Sequence, residues 1–283
     1  MLKKLRNDYH NALCKNIIRI RNTREIEYPN FADVSSKTSK AVAWKIVESL
    51  GCGKNYQNIY GQTAGTLFEQ ETMLYLKNAF SAINHLRPGS WDYRVNSLIT
   101  AYEQYRHLDY LEKVIKDDKT LASTLGGGYI VKPDIVICRE PVDDNEINKN
   151  KPLIKDSDDI ASLTPLRINN NAGNELLHAS ISCKFTIRSD RSQNTRTEAL
   201  NLIRNRKGNL PHIVAVTAEP LPTRISALAL GTGDLDCVYH FALDELRVAL
   251  EELENEDQLD MLNVMIESRR LRDISDLPFD LAT

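Results

Sequence analysis

The sequence predicts an α/β protein, a β-sheet covered by helices, and three adjoining segments carry that expectation. Leu176 to Ile187 alternates as LLHASISCKFTI, the period-two pattern of a strand with one covered face. Ser192 to Lys207 then places Ala199, Leu200, Leu202 and Ile203 on one helical face, and Gly208 suits the left-handed close of a helix. His212-Ile213-Val214-Ala215-Val216 comes next as a short apolar run, as expected of a strand buried on both faces. Strand, helix and strand in immediate succession require a sheet with helical cover.

Taken from the N-terminus, the first 30 residues are basic and partly helical in pattern, with a break at Tyr28-Pro29-Asn30. Ala41, Val42, Trp44, Ile46, Val47 and Leu50 recur near a helical period, which predicts a helix from about Thr38 to Leu50 that stops at Gly51-Cys52-Gly53. Leu67, Phe68, Leu74, Leu76, Ala79, Phe80 and Ile83 supply the apolar face of a second helix, from about Ala64 to Leu86, terminated by Pro88-Gly89. Residues 97 to 117 read as a third. Strand character begins at Tyr129-Ile130-Val131 and continues through Pro133-Asp134-Ile135-Val136-Ile137-Cys138. Segments 141 to 158 and 168 to 175 are polar loops. Leu235 to Phe241 adds a fourth strand, and the acidic stretches Leu243 to Glu254 and Asp257 to Glu267 add a pair of helices. No repeat or linker interrupts the chain, so one domain is expected over 1–283: an arm with helical pattern over 1–60, a core over 61–241 and a helical region over 242–283.

At 283 residues, with 42% hydrophobic and 27% charged, the chain has the makeup of a folded protein, which excludes disorder of the whole. No run reaches the roughly 18 apolar residues of a membrane span, and the first residues lack an apolar signal core; a cytoplasmic location away from membranes is expected. The five cysteines are widely spaced, without the close pairs of a zinc or redox motif, so reduced and mostly buried thiols are expected. A net charge of -3 argues against a polyanionic partner until its distribution is traced. Lys184 to Lys207 holds seven basic residues against Asp190 and Glu198, a local +5, whereas the chain from Asp234 onward carries a local -10. Such segregation fits one face for a phosphate backbone and another kept solvated or used between subunits.

Asp134 and Lys184 stand on separate strand-like runs that could meet at a sheet edge. Phosphodiester hydrolysis needs such groups: carboxylate oxygens hold magnesium, the metal acidifies water, and a lysine orients that water or offsets charge on phosphorus. The pair alone is a weak signal. The usual nuclease pattern also places an acid two residues before the lysine, but Ser182 stands there. Glu198 can replace it if the next helix packs over the strand ends, and Glu69 is a further candidate; three carboxylates suit two magnesium ions better than one. The competing reading makes Glu198 a solvent-facing partner of Arg196 or Asn201. Arg188, Asp190 and Arg191 lie between strand and helix, where two arginines can each fork onto guanine and an aspartate can accept from cytosine. Equally, Asp190 could be an ordinary helix N-cap, with the arginines solvated or on phosphate.

The segment from Ser180 to Leu243, containing SISCKFTIRSDRSQNTRTE, strongly resembles type II restriction endonucleases of the CCGG-cutting group. GQTAGTLFE at 61 to 69, INHLRPGSW at 83 to 91, the Pro133-Asp134 strand and RDISDLPFDLA near the end are similar in the same order. The resemblance implies a PD-(D/E)XK core, a central mixed sheet flanked by helices with an N-terminal helical elaboration. It implies that Asp134, Lys184 and Glu198 form the catalytic set, that Glu69 is an additional active-site acid, and that the Cys183 main-chain carbonyl joins the metal ligands. Arg188, Asp190 and Arg191 match the readers of the inner CCGG, Gln62 and Ser35 match minor-groove contacts to the outer pair, and Arg224 matches its major-groove contact. The same resemblance implies magnesium (Mg2+), two ions per site, a double-stranded DNA partner, a bacterial homotetramer holding two DNA sites, and cleavage of GCCGGC after the first G. The arm over 1–60 is then expected to touch DNA. Two other classes stand against this: a structure-specific or repair nuclease of the same fold, and a non-catalytic DNA-binding regulator.

Overall fold

The computed structural model describes residues 1–23, 26–117, 130–155, 158–187, 189–231 and 233–283. In chain order its main elements are α1 (Leu2–Asn16), β1 (Ile20–Thr23), β2 (Ile26–Pro29), α2 (Lys37–Ser49), α3 (Gly61–Ala82), β3 (Trp91–Val95), α4 (Arg106–Asp117), β4 (Ile135–Arg139) and β5 (Leu176–Lys184). Then come α5 (Ser189–Asn205), β6 (His212–Thr217), α6 (Pro222–Ala229), β7 (Cys237–His240), α7 (Leu243–Glu252), α8 (Glu256–Glu267) and β8 (Leu271–Asp273). The strands form a two-stranded sheet, β1-β2, and a six-stranded one of order β3-β4-β5-β6-β7-β8. The larger sheet is mixed, since β3 runs antiparallel to β4 whereas β6, β7 and β8 are parallel. The expected α/β architecture is therefore present. No helix among the described residues is long and apolar enough to cross a membrane.

The chain gathers into two compact units. The first comprises Met1–Arg87, Ile181–Ala199 and Ile213–Thr283. Its helix α3 buries Ala64, Phe68, Thr72, Leu76 and Phe80, one residue per turn of a single face. Against it α1 lays Tyr9, whose hydroxyl is 2.9 Å from that of Thr72 and whose ring lies 5.1 Å from Tyr75. Helix α2 starts at Ser36, whose hydroxyl accepts from the Ser39 amide, and beyond its end stands Gly51 at φ +68°, a conformation that favours glycine. Arg6 ties α1 to the C-terminal region by forking onto both Glu245 and Asp273 at 2.7 to 2.9 Å. The second unit comprises Pro88–Ser180 and Leu200–His212. There the segment over 141–175 is closed by buried Arg167, which forks onto Asp144 at 2.8 and 2.6 Å.

Several expectations change in detail. Residues 97 to 117 are not one helix: single 3-10 turns at Ile99–Ala101 and Glu103–Tyr105 precede α4, because Ile99, Tyr102 and Tyr105 are all fully buried at a three-residue spacing. Helix α3 starts three residues before the expected boundary and ends four earlier, and α5 likewise starts at Ser189 rather than Ser192. Asp190 is thus inside the first turn of α5, not its N-cap. Strand β4 opens at Ile135, just after Asp134; Tyr129 lies outside the described residues. The hairpin β1–β2, strands β3 and β8 and helix α6 carry too short a pattern to be read from periodicity. Cys14 and Cys52 form a disulfide with Cα atoms 5.1 Å apart, and only Cys138, Cys183 and Cys237 remain free thiols, all buried. Their 38-residue separation hides a pairing that the meeting of α1 with the turn after α2 creates.

Candidate active site

The first unit holds most of the expected site residues, among them Lys184 at the end of β5. Lys184 closes that strand, and its carbonyl accepts from the Thr217 hydroxyl at 2.7 Å and from the Ala218 amide at 3.3 Å, so β6 holds the lysine's backbone in place. Ser182 and Lys184, two residues apart, project from the same face of the strand. The Ser182 hydroxyl lies 3.4 Å from that of buried Thr195 on α5. Glu198 stands three residues after Thr195, hence on the same face of that helix. Glu198 itself is half-buried.

Packing brings α3 to the same strand end. Phe185, directly after Lys184, stacks against Phe68 of α3 with ring centroids 5.5 Å apart, and Phe31 meets Phe185 at 6.0 Å. Glu69 is the next residue after Phe68 and is half-buried. Cys183 is buried, its side chain on the strand face opposite Lys184. Asp134 belongs to the second unit, half-buried immediately before β4, and its carbonyl accepts from the Asn96 amide at 3.0 Å.

Of the expected base-reading residues, Arg188 lies outside the described residues, and Asp190 and Arg191 are in the first turn of α5. Gln62 is exposed at the second position of α3, and Ser35 is exposed just before α2. Arg224 occupies the third position of α6 and pairs with Asp33. Asp33 also accepts from the Ser35 amide at 2.9 Å and from its hydroxyl at 2.7 Å, so one carboxylate joins two of the expected outer-pair readers. The Ser35 bonds and the Arg224 guanidinium hold the Asp33 carboxyl down at about 2.

Sequence reasoning missed both Asp33 and Glu219. The Asp33-Val34-Ser35 spacing carries the signal of an Asp side chain bonding two residues on. Glu219 carries no such signal. It is 1% exposed, accepts from the Ile187 amide at 2.9 Å and the Leu221 amide at 3.3 Å, and lies 3.9 Å from Arg224. One buried carboxyl thus braces the residue before Arg188 and the entry to α6. Burial pushes it up to about 7, against the opposing pull of those amides and Arg224.

A second acidic grouping lies in the second unit, where Asp92, Cys138 and Glu175 bring ligand atoms within 4.8 Å of one another. Arg94 occupies the cation's role there, 2.5 and 2.7 Å from Glu175 and 2.7 Å from Asp92. Glu175 precedes the opening of β5, at the opposite end of that strand from Lys184. By chemical type, the carboxylate oxygens of Glu198 and Glu69 are donors that a hard divalent cation takes.

A family profile described as NgoMIV restriction enzyme matches residues 9–283. The chain is 47% identical over 280 residues to the type II restriction enzyme NgoMIV of Neisseria gonorrhoeae, covering 97% of this chain and 96% of that one. Among solved structures, the Bse634I restriction endonuclease is similar at 12% identity and a TM-score of 0.37, over 87% of this chain and 98% of that one. A PspGI–substrate DNA complex is similar at 14% identity and a TM-score of 0.30, over 99% and 91% respectively. Superpositions that loose decide nothing, and it is the sequence match that fixes the family. The protein is a type II restriction endonuclease, a hydrolase that cuts DNA at specific sites. Within that class, the chain belongs to the NgoMIV restriction enzyme family.

Proposed function

We propose that this enzyme hydrolyses both strands of duplex DNA at a palindrome containing CCGG, namely GCCGGC, cutting after the first G to leave four-base 5′ overhangs. The observation that carries the catalytic part is the approach of Ser182, two residues before Lys184, to Thr195 on α5, which supports Glu198, three residues further along that helix, as the carboxylate that the strand itself lacks. Asp134, Glu198 and the Cys183 carbonyl are the ligands for Mg2+, two ions per site, with Glu69 as an additional acid. When bound, the metal supplies Lewis-acid charge that acidifies water and offsets charge growing on the phosphate. Lys184 orients the attacking water or offsets charge growing on phosphorus. The products carry a 5′-phosphate and a 3′-hydroxyl.

Arg188, Asp190 and Arg191 read the inner CCGG from the start of α5, where a helix N-terminus can enter the major groove. Gln62, Ser35 and Arg224 read the outer pair. The Asp33 carboxylate, bonded to both Ser35 and Arg224, supports the grouping of the last two at one place. A palindromic target calls for a two-fold protein arrangement, and a homotetramer of two back-to-back dimers holds two sites. Sequencing the ends of a plasmid digest tests site, cut position and reaction together. Ends at GCCGGC with four-base 5′ overhangs are expected; scattered ends, ends at branched structures, or no cleavage with magnesium present would overturn the reading.

A further inference from the structure

The hairpin β1–β2 and the segment leading into α3 enclose a groove of about 630 Å³ that none of the catalytic or base-reading residues lines. Its walls include Arg19, Arg21, Asn22, Tyr56 and Tyr60, and no acidic side chain among the described residues. Arg19 is 8% exposed, yet its guanidinium meets only the carbonyls of Ile18 and Asn16, at 2.9 Å each, and its Nε is buried without a partner. Arg21 donates to the Ile59 carbonyl at 3.2 Å, and its Nε is likewise buried and unpartnered. Neither arginine forms an ion pair with a carboxylate among the described residues. Two guanidiniums with no carboxylate partner among the described residues, in a recess whose described lining holds no acid, leave a field that favours an anion, since buried charges are ordinarily paired.

The groove's place in the chain says which anion. Its last lining residue, Gly61, opens α3 and directly precedes Gln62. One proposed minor-groove reader therefore adjoins it, and a duplex engaged by Gln62 runs on past the palindrome. Tyr60, 79% exposed, stands at the rim beside Gln62, where an amphipathic ring can lie along the sugar-phosphate backbone. We infer that this groove binds backbone phosphates of the duplex flanking the recognition sequence, with Arg19 and Arg21 as the anion-attracting pair. The assignment rests on the DNA reading proposed for the catalytic site and adds an interaction that carries no base information, because phosphate contacts position a protein without specifying sequence.

The test compares wild type with Arg21→Gln and Tyr60→Glu, the second placing a negative charge at an exposed position that folding does not use. Binding is measured by fluorescence anisotropy without added metal. One duplex holds the palindrome and two base pairs on each side, and the other holds ten on each side. Both variants are expected to weaken binding to the long duplex about tenfold and to leave the short one unchanged. The long duplex's salt dependence should fall by about 0.9 in log-log slope for each phosphate that the variant no longer neutralises. Equal weakening on both duplexes, or none on the long one, would overturn the groove while leaving the DNA reading intact. Failure of the wild type to prefer the palindrome on the short duplex would overturn that reading, and the groove with it. Stabilisation by millimolar inorganic phosphate with no flank dependence would instead make this a free-anion site and reject the flanking-DNA assignment.

Discussion

The buried pair Glu219 and His240 makes a prediction that can be worked through from the structure. The Glu219 carboxyl is pushed up to about 7 from an ordinary 4.5, mainly because burial disfavours its charged form. Between those two values the unfolded chain has released the proton and the folded chain still holds it, so stability falls as pH rises, by about 3 kcal/mol in all. His240 acts with the opposite sign. It is fully buried, pushed down to about 4 from 6.5, and held neutral between the Glu219 carbonyl and the Ala242 amide at 3.2 Å each. There the unfolded chain binds the extra proton, and stability falls as pH drops from 6.5 toward 4, again by about 3 kcal/mol. The two slopes overlap from about 4.5 to 6.5 and largely cancel in the wild type. Glu219→Gln removes one of them. Its stability relative to wild type should rise by about 3 kcal/mol between pH 4.5 and 7, on top of a pH-independent offset from the weakened amide bonds. Urea unfolding monitored by tryptophan fluorescence at half-unit pH steps reads that difference. A difference constant within about 1 kcal/mol across the range would mean that Glu219 is ionised throughout in the folded protein, and burial would not be what governs its proton.

Four further outcomes are expected. Lys184→Ala should bind the cognate duplex as wild type does and fail to cut it; normal cleavage in a gel assay would remove the lysine from the chemistry. Glu198→Ala should abolish metal-dependent cleavage, whereas Ser182→Ala should reduce it far less, and equal tolerance at both would return Glu198 to a solvent-facing role. Arg188→Ala or Arg191→Ala should cost about 1 to 3 kcal/mol of specific binding for each bidentate guanine pairing removed, with non-specific binding changed much less in a competition assay. Arg6→Ala should lower stability by about 3 kcal/mol, because two largely buried carboxylates, Glu245 and Asp273, lose their shared counter-charge; an unchanged unfolding midpoint would contradict that assignment.

Much of the site is legible in the order of residues. Lys184 sits on the longest alternating strand, and the helix after it carries Glu198 at a readable distance, because a nine-residue strand and a seventeen-residue helix repeat their pattern often enough to be recognised. What the pattern could not show was the orientation of Glu198, since a helix period says which residues share a face but not which face meets the strand. The Ser182–Thr195 approach shows which side of that helix meets the strand at Thr195. Glu219 and the Asp33–Arg224 pairing were invisible for a different reason: the partners Ile187 and Arg224 lie far along the chain, and a single acid has no period; only the local Asp33–Ser35 turn leaves a trace in the sequence. Three- to five-residue strands such as β3 and β8 fail similarly, being shorter than the window in which alternation can be told from chance.

From its residues alone this chain specified an α/β core, a lysine-bearing strand leading into a basic helix, and through its resemblance the nuclease class. Those are local patterns, governed by which side chains recur at two or 3.6 positions. Tertiary structure alone decided that Phe68 and Phe31 close on Phe185, that Cys14 reaches Cys52, that Asp33 links Ser35 to Arg224, and that two arginines line a recess with no acidic side chain among the described residues. Such pairings depend on how segments distant in sequence pack, and packing energy is a property of the assembled surfaces rather than of any one stretch.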